Sequence, residues 1–276
     1  MEYKIVSDSS SNVVGLEKVN YRAVPLKIIC GNKEYIDTPN LDVDNMIEEL
    51  KQTKNTSGTS CPNVYDWLEA YDGGKNIFAF AITSSLSGSY ASAVSAKEKY
   101  MKIHENSKVC VVDTLSTGPE MRLLMEKVKE CADNGLSFEE TEKEVRNYQK
   151  KTHLIFCLKS MNNLAKNGRV PKTAAKIALV LGIQIVGKAS DTGTLEPLYK
   201  CRGEHKSINT IYEVMVSNGF SGGKVRISHC QNIEGAKKLE ETIKINFPDS
   251  DISIDRCTAL CSFYAEQGGL LVGYEG

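Results

Sequence analysis

Two short segments hold the residue types best suited to binding chemistry: Thr59-Ser60-Cys61-Pro62 and Thr83-Ser84-Ser85-Leu86-Ser87-Gly88-Ser89-Tyr90. Each is dense in small hydroxyls and runs into a segment with helical spacing. Each therefore offers O–H donors beside the unpaired N–H groups of a first helical turn. That combination grips an anionic head group without a positive charge. Neither segment contains a basic residue, so an anion held here is held by neutral donors. For either segment alone the alternative is helix capping, where Ser, Thr and Asn are the expected residues and contribute about 1 kcal/mol apiece. Two such segments, both at helix starts, favour a site.

Nucleophilic catalysis is the rival chemistry. Ser84 or Ser87 at a strand-to-helix turn has the placement of a nucleophile elbow, but Gly-x-Ser-x-Gly is absent. A serine nucleophile also needs a positioned base. The histidines are His104, His153, His205 and His229, none in a segment that evidently faces this turn. A hydrolase or transferase using Ser84 or Ser87 stays open as the alternative function. Neither GxxxxGK[ST] nor GxGxxG follows the first strand, so a nucleotide cofactor is not indicated. Among the nine cysteines, Cys257 and Cys261 are the closest pair, without the second ligand pair that a zinc site needs. They read as reduced thiols with no metal, and Cys110 and Cys157, inside apolar runs, read as small buried hydrophobes.

The elements that position these segments follow from periodicity. Residues 4–6 form a short strand that empties into the polar turn Ser7-Asp8-Ser9-Ser10, and 24–29 form a second strand, its proline suited to an edge or a strand start. Val43, Met46, Ile47 and Leu50 repeat at helical spacing, as do Val64, Trp67, Leu68 and Tyr71 after Pro62. Residues 77–82 and 109–112 are nearly unbroken apolar runs, as in strands buried on both faces. The first is followed by the second hydroxyl segment and a helix to about 101. The second is followed by Asp113, a polar exit and a helix holding Leu123, Leu124 and Val128. This is the βαβ pattern of an open parallel sheet, in which ligands collect beyond the carboxyl ends of the strands. Ser84 and Asp113 both fall there.

A polar helix over 138–150 marks a boundary between an N-terminal α/β domain (1–150) and a C-terminal α+β domain (151–276). In the second, helices are expected over 172–181, 207–216 and 234–245. Strands are expected over 152–157, 183–186, 195–199, 224–229 and 252–255, and the chain closes on the apolar segment 268–274. The 276 residues suit two packed lobes, and 41% hydrophobic with 25% charged residues is ordinary for a globular chain. A net charge of −1 argues against nucleic-acid binding. The N-terminus has no export signal, and no run approaches ~18 apolar residues. A cytoplasmic protein without an integral membrane segment is expected.

The motifs, taken in order, resemble those of the DegV family, bacterial fatty-acid-binding proteins that include the FakB subunits of fatty acid kinase. Val6-Ser7-Asp8-Ser9-Ser10 is similar to the family's [TS]-D-S-[ST] turn, and Thr59-Ser60-Cys61-Pro62 to T-S-Q-P, with Cys61 for the usual glutamine. The segment 83–90 is similar to S-S-x-L-S-G-[TS]-Y, and Val112-Asp113-Thr114 with Gly118 to the V-D-[ST] strand end. Residues 164–170 resemble L-x-x-x-G-R-[IV], and Lys200-Cys201-Arg202 resembles K-x-R. The resemblance implies two lobes with one fatty acid between them, its carboxylate held by Thr59 and Ser84 with Ser87 nearby. It implies no cofactor and no catalysis by this chain, which would present the acid to an ATP-dependent kinase, with Arg202 as the docking residue. A tail of about sixteen methylenes, at ~0.8 kcal/mol per buried CH₂, supplies the affinity, so the head-group site need only orient the carboxylate. The family's usual histidine near the carboxylate is matched here by Tyr264, a neutral donor in place of a group that can become cationic. Arg169 is expected to be structural, capping carbonyls at a turn or bridging the lobes.

Overall fold

The apolar runs become the interior strands of a parallel sheet. The computed structural model describes residues 3–53, 55–173 and 182–276, and the expected helix over 172–181 falls mostly outside them. β1 (Lys4–Asp8), β2 (Asn20–Val24), β6 (Asn76–Ala81) and β7 (Lys108–Asp113) pair in the order β2-β1-β6-β7, every pair parallel. Phe78 and Phe80 face one side with Met121, Leu124 and Met125, whereas Ile77, Ala79 and Ala81 face the other with Trp67 and Tyr71. The helices on the two faces are α4 (Pro119–Asp133) with α5 (Phe138–Gln149), and α2 (Val64–Tyr71) with α3 (Ser89–Ile103). This is the expected open parallel sheet covered on both faces.

Pro25 divides what reads as one strand over 24–29. Val24 ends β2, and the chain re-enters at β3 (Lys27–Cys30) in a different sheet with β4 (Lys33–Ile36) and β5 (Ser57–Ser60), antiparallel in the order β4-β3-β5. Proline lacks the N–H a continuing ladder requires. With α1 (Val43–Gln52), this small sheet buries Ile28, Met46 and Ile47 against residues of the second lobe.

From Thr152 the chain builds a mixed sheet of β8 (Thr152–Leu158), β9 (Ile183–Ala189), β10 (Leu195–Arg202), β11 (Val225–His229), β12 (Ile252–Arg256) and β13 (Leu270–Glu275), in the order β10-β9-β8-β13-β11-β12. Alternation along β8 divides two cores. Ile155 and Cys157 pack with α7 (Glu204–Ser217) and α8 (Ile233–Asn246), while Leu154, Phe156 and Leu158 point the opposite way. On that second side lie α6 (Asn162–Lys166) and α9 (Ala259–Ala265).

The lobes are joined through α4. Gly273 of β13 lets the helix start approach the sheet, since a Cβ there would lie 2.5 Å from the Glu120 nitrogen. Further along α4, Glu126 pairs with Arg226, which also pairs with Asp251, at 2.9 and 2.8 Å. Glu130 meets Lys224, and Arg122 meets Asp255. No helix among the described residues is long and apolar enough to cross a membrane. All nine cysteines are unpaired, and Cys110 and Cys157 are buried within apolar cores.

Candidate functional site

Between the lobes lies a cavity of about 310 Å³, within the size range of small-molecule sites. Leu154, Phe156 and Leu158 of β8, with Leu271 of β13 and Leu195 of β10, form its sheet wall; Leu26, Ile82 and Leu260 close it from the other lobe and α9. The polar groups lie on separate elements: Thr59 and Ser60 on β5, Ser87 in the loop after β6, Thr117 in the loop after β7, Arg169 in the turn after α6, and Tyr264 on α9.

The two hydroxyl segments are built differently from the expectation. Thr59 and Ser60 belong to strand β5, and α2 begins later, at Val64, capped by Asn63 in a reciprocal bond set with Asp66. Pro62 therefore precedes the helix instead of starting it. In the second segment α3 starts at Ser89 after Gly88, whose N-cap position has no side chain to offer. The Ser87 Oγ accepts the Ser89 N–H at 3.3 Å, and Ser87 and Gly88 line the cavity. A helix N-terminus faces the space, as the sequence implies, on this segment only.

Ser84 is not brought to the cavity. It is exposed, and its N–H donates to Asp113 Oδ1 at 3.1 Å, the same oxygen that accepts from Leu115. The 83–88 turn has one side toward Asp113 and one toward the cavity, and Ser84 and Ser87 fall on opposite sides. Among the described residues, no hydrogen bond joins the hydroxyl of either serine to a histidine, lysine or carboxylate. His104 stacks on Tyr100, His153 on Tyr274, and His229 Nδ1 accepts from the Asn232 N–H. The base that a serine nucleophile requires is not supplied by these groups.

Tyr264 and Thr59 share a hydrogen bond of 2.8 Å across the rim. Two O–H groups in one bond use one proton, so the other stays available to a ligand. Burial raises the Tyr264 phenol, against the Thr59 hydrogen bond and the Arg169 charge that lower it, so it remains a neutral donor near neutrality. Arg169 corrects the picture of a cation-free grip. Its Nε donates to Leu86 O at 3.2 Å and its Nη1 to Asn167 O at 2.5 Å, capping carbonyls and bridging the lobes as expected. It also lines the cavity, and a guanidinium has donors left after two bonds.

Two buried carboxylates hold the rim in place. Asp8 accepts from the Ile82 N–H at 2.9 Å and the Ser89 hydroxyl at 2.6 Å, gripping the 83–88 turn at both ends. Asp37 accepts from the Ala259 and Leu260 N–H groups at 2.8 and 3.0 Å and from Thr258 Oγ1, fixing the start of α9. Burial raises both carboxyls against these hydrogen bonds. Asp8 is visible in the sequence as part of a motif. Asp37, alone among polar loop residues, carries no signal of its partners more than two hundred positions away. Arg202 stands apart, exposed at the opposite end of β10 from Leu195, roughly 20 Å away at ~3.3 Å per residue.

The model of the DegV family, described as "Uncharacterised protein, DegV family", matches residues 2–275. A DegV domain-containing protein of Streptococcus pneumoniae is 42% identical over 279 residues, covering 100% of this chain and 99% of its own length. Among solved structures, the Streptococcus pneumoniae Fatty Acid Kinase B3 protein loaded with linoleic acid is similar at a TM-score of 0.97 and 43% identity, with 100% of this chain and 99% of that one covered. A DegV family protein from Eubacterium eligens loaded with heptadecanoic acid has a TM-score of 0.97 and 39% identity, with 99% of each chain covered. With a match over nearly its whole length and relatives this similar, the chain belongs to the DegV family.

Proposed function

We propose that this chain binds one long-chain fatty acid in the cavity between its lobes, the carboxylate at the Thr59, Ser87, Arg169 and Tyr264 rim and the tail against the β8 wall. The observation that carries the reading is the division of one cavity into an apolar wall and a rim of polar donors from separate elements. It is supported by the fatty acids in the similar structures named above. The tail provides affinity through buried methylenes. The rim satisfies the carboxylate with hydroxyl donors, an α3 N–H terminus and one guanidinium.

In this reading the chain is a non-catalytic carrier that presents its acid to an ATP-dependent kinase through the face bearing Arg202. Rim and docking residue then separate by experiment. In native mass spectrometry of the bacterially expressed protein, wild type carries a fatty-acyl mass. Thr59→Val combined with Ser87→Ala lowers fatty acid affinity roughly 100-fold, the worth of two hydrogen bonds to a charged group at their weaker end. Ser84→Ala and Arg202→Ala leave retention at the wild-type level, and Arg202→Ala lowers only acyl phosphate formation with the kinase. Wild type that neither carries nor takes up palmitate or oleate overturns the lipid reading. Stoichiometric labelling of Ser84 or Ser87 by a fluorophosphonate overturns the non-catalytic one.

A further inference from the structure

We infer that the cross-strand pair Phe156 and Gly187 sets which acyl tails the cavity accepts, an inference that rests on the fatty acid reading above. The pair lies on the sheet wall, where Phe156 of β8 is registered directly opposite Gly187 of β9 and, on its other side, Leu271 of β13. Side chains at registered positions project from the same face, and that face is the cavity side, shared with Leu158 and its partner Ile185.

Gly187 has no side chain, and the Phe156 ring occupies the room that one would fill. A Cβ on Gly187 would lie 2.3 Å from the ring Cζ and 2.7 Å from Cε2. No real Cβ tolerates such contacts, so the tip of the ring sits over the glycine only because it is a glycine. With the ring lying over β9, the space above the middle of the wall stays open to a tail. A side chain at 187 lifts the ring off the sheet, toward the cavity that Phe156 already lines. A shorter side chain at 156 instead adds room between β8 and β9. Closely packed interiors register a change of even one methylene, so the pair acts on tail length and bend, remote from the rim that holds the carboxylate.

The test is a competition. The full chain is incubated with equimolar myristic, palmitic and stearic acids, and the bound masses are counted by native mass spectrometry. Gly187→Ala lowers the stearic-to-myristic ratio roughly tenfold, the worth of about two methylenes lost from the pocket. Phe156→Leu raises that ratio, and the double variant returns toward wild type, because a leucine does not reach over position 187. The added Cβ would also lie 2.5 Å from Glu196 O. Should Gly187→Ala fail to fold, Phe156→Leu decides alone, a raised ratio supporting the inference and an unchanged one overturning it. Wild type and folded variants that bind with identical length distributions overturn the inference and leave fatty acid binding intact. Wild type that binds none of the three acids overturns the functional reading and this inference with it.

Discussion

Along α4 the lobes meet through ion pairs; around the cavity they meet through hydroxyls, one arginine, apolar side chains and the Asp37 carboxylate, whose donors are neutral N–H and O–H groups. At the α4 seam, the Arg226 side chain is 7% exposed and reaches Glu126 and Asp251, with Glu130–Lys224 and Arg122–Asp255 beside it. Around the cavity the bridging contacts include Thr59–Tyr264, Arg169–Leu86, Ser85–Thr192 and the Asp37 bonds to the start of α9. Buried charges must be fully partnered, which forces close and closed geometry. Neutral donors at a rim carry no such demand, so volume can remain between the lobes. The contrast teaches how the fold keeps a hole in its middle: the buried ion pairing is concentrated on α4, which supplies no residue to the cavity lining.

The seam is broken most severely by Glu126→Gln. Removing one partner of a buried pair costs 3–5 kcal/mol in general, and with Asp251 still beside Arg226 the expected loss is about 3 kcal/mol, read from the urea midpoint at unchanged slope. Glu126→Leu with Arg226→Met recovers part of it, since the buried Arg226 charge is gone while Arg122 keeps Asp255 and Asp251 is exposed to water. A loss from Glu126→Gln too small to resolve would show that the seam does not hold the lobes.

The same seam contains a pH-dependent element. Glu120 is buried against β8 and accepts from Thr152 Oγ1 at 2.9 Å. Burial pushes its carboxyl up to about 7 from an ordinary 4.5. Between those values the folded chain binds more protons than the unfolded one, so stability falls as pH rises. The stabilisation is complete below 4.5, is lost as pH rises through about 7, and amounts to on the order of 3 kcal/mol. Asp8 and Asp37, also raised by burial, tilt the same way, so the informative quantity is a difference between proteins. Glu120→Gln keeps an acceptor for Thr152 and gains stability over wild type at pH 8 but not at pH 4.5. Parallel unfolding curves across that range would remove Glu120 from the account.

The contrast also explains what the sequence makes legible. The β8 wall is written locally, in the alternation of Leu154, Phe156 and Leu158, and the parallel sheet in the apolar runs before Ser84 and Asp113. Those features depend on neighbours in the chain. The rim does not: Thr59, Ser87, Arg169 and Tyr264 meet only after β5, the β6 exit, the α6 turn and α9 have been brought together. The sequence points to a helix start at Pro62 instead of Val64 because β5 is a four-residue strand of Ser, Gly and Thr, with none of the β-branched apolar residues that announce one. Arg169 reads as a turn residue because it is one, and its second role requires the other lobe. Ser84 and Ser87 cannot be ranked by type, since which side of a tight turn faces a cavity is set by what packs on it.

The smallest expected effect sharpens the comparison from the cavity side. α9, which carries Tyr264, ends at Glu266 with φ 54° and ψ 173°, a region where essentially only glycine settles and other residues cost about 1–3 kcal/mol. The seam has no such outlier, as its charges are satisfied by geometry alone. What holds Glu266 is its carboxylate, which accepts the Asn163 N–H at 3.1 Å and ties the end of α9 to α6. Glu266→Gly relieves the backbone and loses that bond, worth about 1 kcal/mol, so the net gain is about 1 kcal/mol and the melting midpoint rises by about 2 °C. Glu266→Ala keeps the strain and loses the bond, so its midpoint falls below wild type. Glycine above wild type and alanine below it locate stored strain at the rim; equal midpoints for the two variants would mean that the side-chain bond alone matters there and that rim and seam are built on the same terms.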